Sequence, residues 1–274
     1  MNRLRLPKPE RFLGYAVTLT LVVIILIPIQ VLLMGALKGS NIASVPWSDF
    51  FTLGNALFLM DCAKVALGLY GGKILFSFYI ALLSVILNLL FCVPGSYIFV
   101  HHPFRGSKRL EEMALLPISV PGIVLSIALI QTYSVLRGHW LMILMAHLLY
   151  TIPFMLSVIT NTLRTEDMRR LLLAAQTLGA SAFQRFYRVV LPSLRQAMIV
   201  GSLLVFSISC GEYNVSLFLN SANCQTFPAA VFESHASESV RIISIAILIF
   251  LLSAVLILIL LRSSEDWNGG EREF

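Results

Sequence analysis

Long apolar runs dominate the chain, and its polar residues fall between those runs rather than alternating with them. A hydrocarbon core about 30 Å thick takes about 20 helical residues to cross. Six segments reach that length: residues 12–37, 74–100, 113–136, 141–163, 197–219 and 242–261. They predict an all-α integral membrane protein with six transmembrane helices. The first segment follows a basic stretch (Arg3, Arg5, Lys8 and Arg11) in the manner of a signal peptide. Its apolar run exceeds the about 7–15 residues of a signal core and no small-x-small cleavage site follows, so it reads as an uncleaved span. Residues 38–73 are long for a loop, and Phe50, Phe51, Leu53, Leu57 and Phe58 predict short helices lying on the outer surface. The whole chain, 1–274, reads as one transmembrane domain.

Prolines fall inside several spans, at Pro28, Pro94, Pro117, Pro121 and Pro153. In the third span they stand close together, as Leu116-Pro117-Ile118-Ser119-Val120-Pro121-Gly122. Two prolines so near each other free backbone carbonyls and should kink or break the helix. Two readings stay open here: a bend that only shapes the bundle, and a bend that lines a pathway.

Composition agrees with the pattern. Hydrophobic residues make up 58% of the chain and charged ones 12%, against about 25% charged in an average soluble domain. Mean hydropathy is +0.85. The net charge of +6 does not point to nucleic acid, because the basic residues form no stripe and lie just outside the apolar runs. With the N-terminus in the cytoplasm, fifteen of the twenty Lys and Arg residues fall on the cytoplasmic side. Only Lys38, Lys64, Lys73, Arg137 and Arg241 fall outside, a bias that predicts both termini in the cytoplasm. Cys62, Cys92, Cys210 and Cys224 have no C-x-x-C spacing, so no metal or redox site is expected. A disulfide between Cys62 and Cys224, both expected outside, is chemically open, as are two unrelated thiols.

The segment between the fourth and fifth spans, about residues 166–191, carries the most information. It reads as two short amphipathic helices joined by a turn at Gly179. Leu171, Ala174, Ala175 and Leu178 share one face of the first; Phe183, Phe186, Tyr187 and Val190 recur with helical spacing in the second, with Gln184, Arg185 and Arg188 opposite. Pro192 suits the first turn of the following span, where its missing N–H is harmless. Small residues at Ala174, Ala175 and Gly179 would let a partner approach closely. By physical pattern alone, an interfacial helix pair held on the inner leaflet by its arginines is an equal reading.

A family resemblance separates the two. Leu173-Ala174-Ala175, three residues, Gly179, nine residues, then Val189-Val190-Leu191-Pro192 resembles the EAA loop of binding-protein-dependent ABC importer permeases. Leu173 stands where that family has its glutamate; the turn and the helix pair are kept. Arg105-Gly106, Leu116-Pro117 to Pro121-Gly122, and His147 to Pro153 look like the second permease of polyamine, ferric-iron and phosphonate importers, so the resemblance covers nearly the whole chain. It implies a type I importer permease fold in a bacterial cytoplasmic (inner) membrane. The implied partners are a second permease subunit (a heterodimer), two ATP-binding subunits and an external solute-binding protein. It also implies that Ala174, Ala175, Gly179, Arg185, Arg188, Leu191 and Pro192 belong to a coupling element fitted to the ATPase.

Polar residues inside the spans are the candidates for a pathway. An acid at the centre of a membrane helix costs about 2.5–3.5 kcal/mol on insertion scales. Glu212 lies fifteen residues beyond Ala197, about 22 Å along a helix rising about 1.5 Å per residue, in the outer half of the membrane. Ser209, Glu212 and Ser216 share a face by spacing, and Asn214 lies between them. His147 in the fourth span is placed with this group, although a lone histidine is more commonly a packing residue. Asn88, Gln30 and Gln131 read as interhelical hydrogen-bonding residues. The chain contains no Walker sequence, no H-E-x-x-H and no G-x-S-x-G, so it is read as a subunit without catalysis of its own and without a cofactor. An ion-coupled secondary transporter using Glu212 is the alternative reading, though no inverted repeat is visible in the sequence.

Overall fold

The computed structural model describes residues 9–38, 53–221 and 224–269. The described residues are almost wholly helical: α1 (Pro9–Lys38), α2 (Leu53–His101), α3 (Ser107–Leu115), α4 (Gly122–Thr132), α5 (Trp140–Leu163), α6 (Glu166–Thr177), α7 (Ala182–Arg185), α8 (Leu191–Ser193), α9 (Arg195–Gly211), α10 (Asn214–Leu219), α11 (Phe227–Ser234) and α12 (Val240–Gly269). A short 3-10 helix, Leu116–Ser119, follows α3, and Phe186–Val190 is a π-helical stretch between α7 and α8.

Four of these helices are long and apolar enough to cross a membrane: Tyr15–Lys38, Leu57–His101, Trp140–Leu163 and Val240–Ile259. The third and fifth predicted spans are not single helices. Ser107–Ser119 meets Gly122–Thr132 at 110°; the fifth is divided at Glu212 between α9 and α10, and ahead of it Ala182–Ser193 meets Arg195–Gly211 at 63°. The first of these breaks falls at the Pro117/Pro121 pair, where Val120 is extended and no helical hydrogen bond can pass. Pro28, Pro94 and Pro153, by contrast, sit inside unbroken helices.

The second helix corrects the reading of residues 38–73. Leu53, Leu57 and Phe58 do not belong to separate surface helices; they are the opening turns of α2, which runs without interruption to His101. Phe50 and Phe51 lie outside the described residues. Gly68, Gly71 and Gly72 fall inside this helix, where a glycine costs about 1 kcal/mol relative to alanine. Packing overrides that cost, since Ala66, Tyr70 and Ile74 are buried.

The chain divides into two compact units. One comprises Met1–Leu69 with Ser234–Leu251. Within it α1 and α12 approach closely at Gly35, where an added Cβ would collide with Ser244 Oγ. Arg241 Nη2 donates to Leu37 O at 3.1 Å, and the Arg241 guanidinium lies 4.8 Å from the centre of the Phe58 ring.

The other unit comprises Tyr70–Glu233 with Leu252–Phe274. Its core joins Ile80 of α2, Leu129 of α4, Ile143 and Ala146 of α5, and Val215 and Leu219 of α10. Tyr70 meets Phe227 edge to face at 5.9 Å, and Ser77 Oγ accepts from Phe227 N at 2.7 Å. Polarity is distributed opposite to that of a soluble protein. Ser84, Asn88, Ser126, His147, Thr151, Ser209 and Ser216 are buried, while Ile86, Leu90, Phe91, Val124 and Ile127 face outward. Lipid tails are as apolar as leucine, so only the polar groups gain from turning inward. Cys62, Cys92, Cys210 and Cys224 are all free thiols.

Helices α5 and α9 are held together through a glycine. A Cβ at Gly201 would stand 2.5 Å from Met155 Sδ and 3.3 Å from its methyl carbon, and Met155 is fully buried. Overpacking of this kind costs about 1–3 kcal/mol. Gly201→Val is therefore expected to lower the thermal unfolding midpoint of the purified protein in detergent by several degrees. An unchanged midpoint would show that α5 and α9 are not packed as described.

Candidate functional site

Two places gather the residues singled out in the sequence: the turn at Gly179 and the break at Glu212.

The first begins where α5 ends. Glu166 and Asp167 occupy the first turn of α6, where negative charge complements the exposed N–H groups. Met168 and Leu172 are buried and seat the helix, while Leu171, Leu173, Ala174 and Leu178 face outward. Gly179 adopts φ +79°, the left-handed conformation that glycine adopts most easily. Ala180 N donates to Ala175 O at 3.0 Å and Gly179 N to Gln176 O at 3.0 Å, the paired bonds of a Schellman motif. Ser181 then opens α7 with a capping box: its hydroxyl accepts from Gln184 N at 3.3 Å, and Gln184 Oε1 accepts from Ser181 N at 2.9 Å. Arg185 Nη1 donates to Gln176 Oε1 at 3.3 Å across the hairpin.

The turn is thus tied on both sides, and its tip is bare. No atom lies within 4 Å of where a Cβ at Gly179 would sit. Leu178 is 87% exposed and Phe183 71%, and the Phe183 and Tyr187 rings pack 4.4 Å apart. The face assigned to Phe183, Phe186, Tyr187 and Val190 is split. The i→i+5 bonding of the π-helical stretch resets the helical register. Phe183 and Tyr187 consequently stay outside, Phe186 meets the Tyr97 ring at 5.1 Å, and Val190 is fully buried. Arg188 and Pro192 are exposed and Leu191 is half-buried.

At the second place, three of the five pathway candidates come together. His147 Nδ1 lies 2.7 Å from Ser209 Oγ, and His147 Nε2 lies 2.9 Å from Ser216 Oγ. All three residues are buried, His147 to 2% exposure. In a neutral imidazole one ring nitrogen donates and the other accepts, so one serine accepts from the ring and the other donates to it. Ser209 lies at the end of α9 and Ser216 within α10, so the histidine ties two helices across a break.

That break changes the account of Glu212, which is not at the middle of a continuous helix. It follows Gly211 with an extended backbone (φ −74°, ψ 112°). Its Oε1 accepts from Val215 N at 2.9 Å, capping the start of α10. The common face of Ser209, Glu212 and Ser216 therefore does not form: the serines meet His147, and the half-buried Glu212 turns to the helix end. Asn214 opens α10 on the exposed side.

The two broken spans touch. A Cβ on Gly122 would stand 2.9 Å from Val215 Cγ2 and 3.3 Å from Asn214 Cβ. The Ser126 hydroxyl lies 2.8 Å from Gly122 O and 3.1 Å from Val215 O, sharing its single proton between them. Sequence reasoning took Pro121-Gly122 only as a bend. The small residues Gly122 and Ser126, one helical turn apart, were the available sign of a close approach. Deeper in, Asn88 Nδ2 donates to Thr151 Oγ1 at 2.9 Å and to Ser84 O at 2.8 Å, as an interhelical residue should. Gln30 and Gln131 are exposed instead. Arg164 Nη2 donates to both oxygens of Glu111, at 2.8 and 2.7 Å, joining α3 to the end of α5. Among the described residues no group of His, Cys, Asp and Glu side chains could hold a metal ion.

Removing one member of the His147 tie leaves two buried hydroxyls without partners, at about 1–3 kcal/mol for an unsatisfied buried group. His147→Leu is expected to lower the unfolding midpoint. Adding Ser209→Ala and Ser216→Ala to it should recover much of the loss, because removing all partners together is nearly neutral. A triple variant less stable than His147→Leu alone would contradict this assignment.

Known proteins resemble this chain over nearly its whole length. The spermidine/putrescine transport system permease protein PotC of Shigella flexneri is 24% identical over 252 residues, covering 89% of this chain and 92% of PotC. The probable sulfate transport system permease protein cysT of Nephroselmis olivacea is 30% identical over 230 residues, covering 77% of this chain and 74% of its own length. The sulfate permease CysT of Salmonella typhimurium is 27% identical over 72% of this chain and 69% of its own. Residues 93–266, which include both the Gly179 turn and the Glu212 break, match the family described as "Binding-protein-dependent transport system inner membrane component". The chain is therefore a multi-pass membrane permease of the ABC importer class and belongs to that family.

Proposed function

We propose that this chain forms half of the translocation passage of an ATP-driven importer, with the Gly179 turn as the surface on which an ATP-binding subunit docks. The observation that carries this reading is the tip itself: a doubly capped turn presenting Leu178 and Phe183 to solvent, with open space at Gly179. Apolar side chains at a rigid, bare tip suit insertion into a groove on another protein. A second permease, two ATP-binding subunits and a solute-binding protein complete the transporter. Each bent helix pair then counts as one span, giving six, with both termini in the cytoplasm and one permease domain over 1–274.

In this reading ATP-driven closure moves α6 and α7. The Arg185–Gln176 bond keeps the hairpin together, and the buried Val190 and Leu194 pass its displacement to α9. The 63° bend lets α9 change direction without unwinding. At its far end the His147 tie holds α9 to α10, while Glu212 and Asn214 at the break face the passage. His147, Ser209 and Ser216 thus support the passage from behind. The solute is small and polar or charged, of the polyamine, phosphonate or iron class, and a carboxylate at the break favours a cation. PotC, named for spermidine and putrescine, agrees with that choice. A secondary transporter in which Glu212 carries the coupling ion is not favoured, because the family and the relatives are binding-protein-dependent permeases.

Three measurements test the reading. Gly179→Val forces a β-branched residue into the left-handed region; uptake is expected to fall at least tenfold with normal membrane insertion and reduced co-purification of the ATPase. Unchanged uptake and association would reduce the segment to an interfacial anchor. Glu212→Gln keeps an acceptor for Val215 N and removes the charge, so assembly should persist while spermidine uptake per assembled complex falls. Equal normalised uptake of spermidine and of sulfate by both proteins would remove Glu212 from the passage. Reporter fusions after Arg109, Gln184 and Phe274 should read cytoplasmic, and one after Ser221 external; a cytoplasmic signal at Ser221 contradicts six spans.

A further inference from the structure

We propose that the cleft where the end of α2 meets α6 and α7 binds a phosphate-type oxyanion, carried on a phospholipid headgroup or free in solution. The cleft has a volume of about 150 Å³, enough for a phosphate group and too small for a whole lipid. Its polar wall is made by His101, His102, Arg169, Gln176 and Arg185, with Tyr97 behind, and no Asp or Glu lines it. Two guanidinium groups in one small cleft repel each other unless an anion lies between them.

The donors there are short of acceptors. Arg185 Nε and His101 Nε2 are both shut away from solvent and have no hydrogen-bond partner. Arg185 spends only Nη1 on Gln176, at 3.3 Å. A guanidinium carries five N–H donors in a planar fork, which matches the oxygens of a phosphate. Arg169 has Glu166 at 4.0 Å, but that carboxylate lies outside the cleft wall and is shared with Arg170 at 3.7 Å. The Tyr97 ring lies 5.3 Å from that of His101 and 5.5 Å from that of His102, so the three rings pack together along the cleft wall.

Position favours a headgroup as the source. The apolar stretch of α2 ends at His101, so the cleft opens at the depth where a lipid phosphate sits. Basic pockets between transmembrane helices on the cytoplasmic side bind anionic headgroups. This inference is separate from the docking of the ATPase, and its test uses the full chain without that subunit.

The purified chain, depleted of native lipid in neutral detergent, would be titrated with phosphatidylglycerol, phosphatidylcholine, or inorganic phosphate against chloride at equal ionic strength. The thermal unfolding midpoint is the readout. Phosphatidylglycerol is expected to raise it at concentrations at least tenfold lower than phosphatidylcholine. A rise with inorganic phosphate as well identifies the free ion as a sufficient ligand, and a rise with phosphatidylglycerol alone assigns the site to lipid. Arg169→Gln with Arg185→Gln should weaken the response at least tenfold, and the milder His102→Gln should weaken it less while preserving the fold. Equal responses of wild type and both variants, or no preference for either phosphate source, would overturn the proposal.

Discussion

Inside hydrocarbon a backbone N–H or C=O that leaves its helix must be bound by protein, because no water is there to take it. This chain breaks two of its spans, and the packing of the larger unit is arranged around those breaks. At Pro121-Gly122 the redirected chain is tied down by Ser126, whose hydroxyl reaches Gly122 O of its own helix and Val215 O of α10. At Glu212 the carboxylate accepts from Val215 N, and His147 spans from Ser209 to Ser216. Both repairs converge on α10, a helix of six residues that could not hold its place by length alone. The polar interior is accordingly scaffolding for interrupted helices.

The membrane class and the larger helices could be read from the sequence because they follow from a simple constraint, enough apolar residues in a row. The Gly179 turn was legible for a different reason. Schellman and capping-box motifs are local, and Gly179, Ser181 and Gln184 lie within six residues of one another. The break at Glu212 was not legible, since no proline or glycine pair announces it; Gly211 alone is a weak signal. A continuous helix therefore put Ser209, Glu212 and Ser216 on one face, and the actual chain direction separates them. The long α2 was missed in the opposite sense: apolar residues before Lys73 were read as short surface helices, whereas one helix runs through them, with Ala66 and Tyr70 buried. In each miss, tertiary contacts outweighed a local preference worth about 1 kcal/mol.

The π-helical stretch also lies beyond sequence periodicity. It puts Val190 into the interior and leaves Phe183 and Tyr187 outside, so one amphipathic face is divided between interior and surface. π turns of this kind are rare and are found frequently at functional sites. This one stands between the hairpin and the 63° bend into α9, where a change in length would be felt on both sides.

The hairpin around Gly179 has one more consequence. Ala175, Gln176, Ser181 and Gln184 already satisfy its backbone, so the tip holds its shape with nothing bound to it. A disordered loop would surrender conformational freedom on each encounter with a partner; this one has already lost it during folding. Under the proposed docking, binding strength is then free to be modest, and a subunit that grips and releases through every turnover could do so without the hairpin melting and re-forming each time.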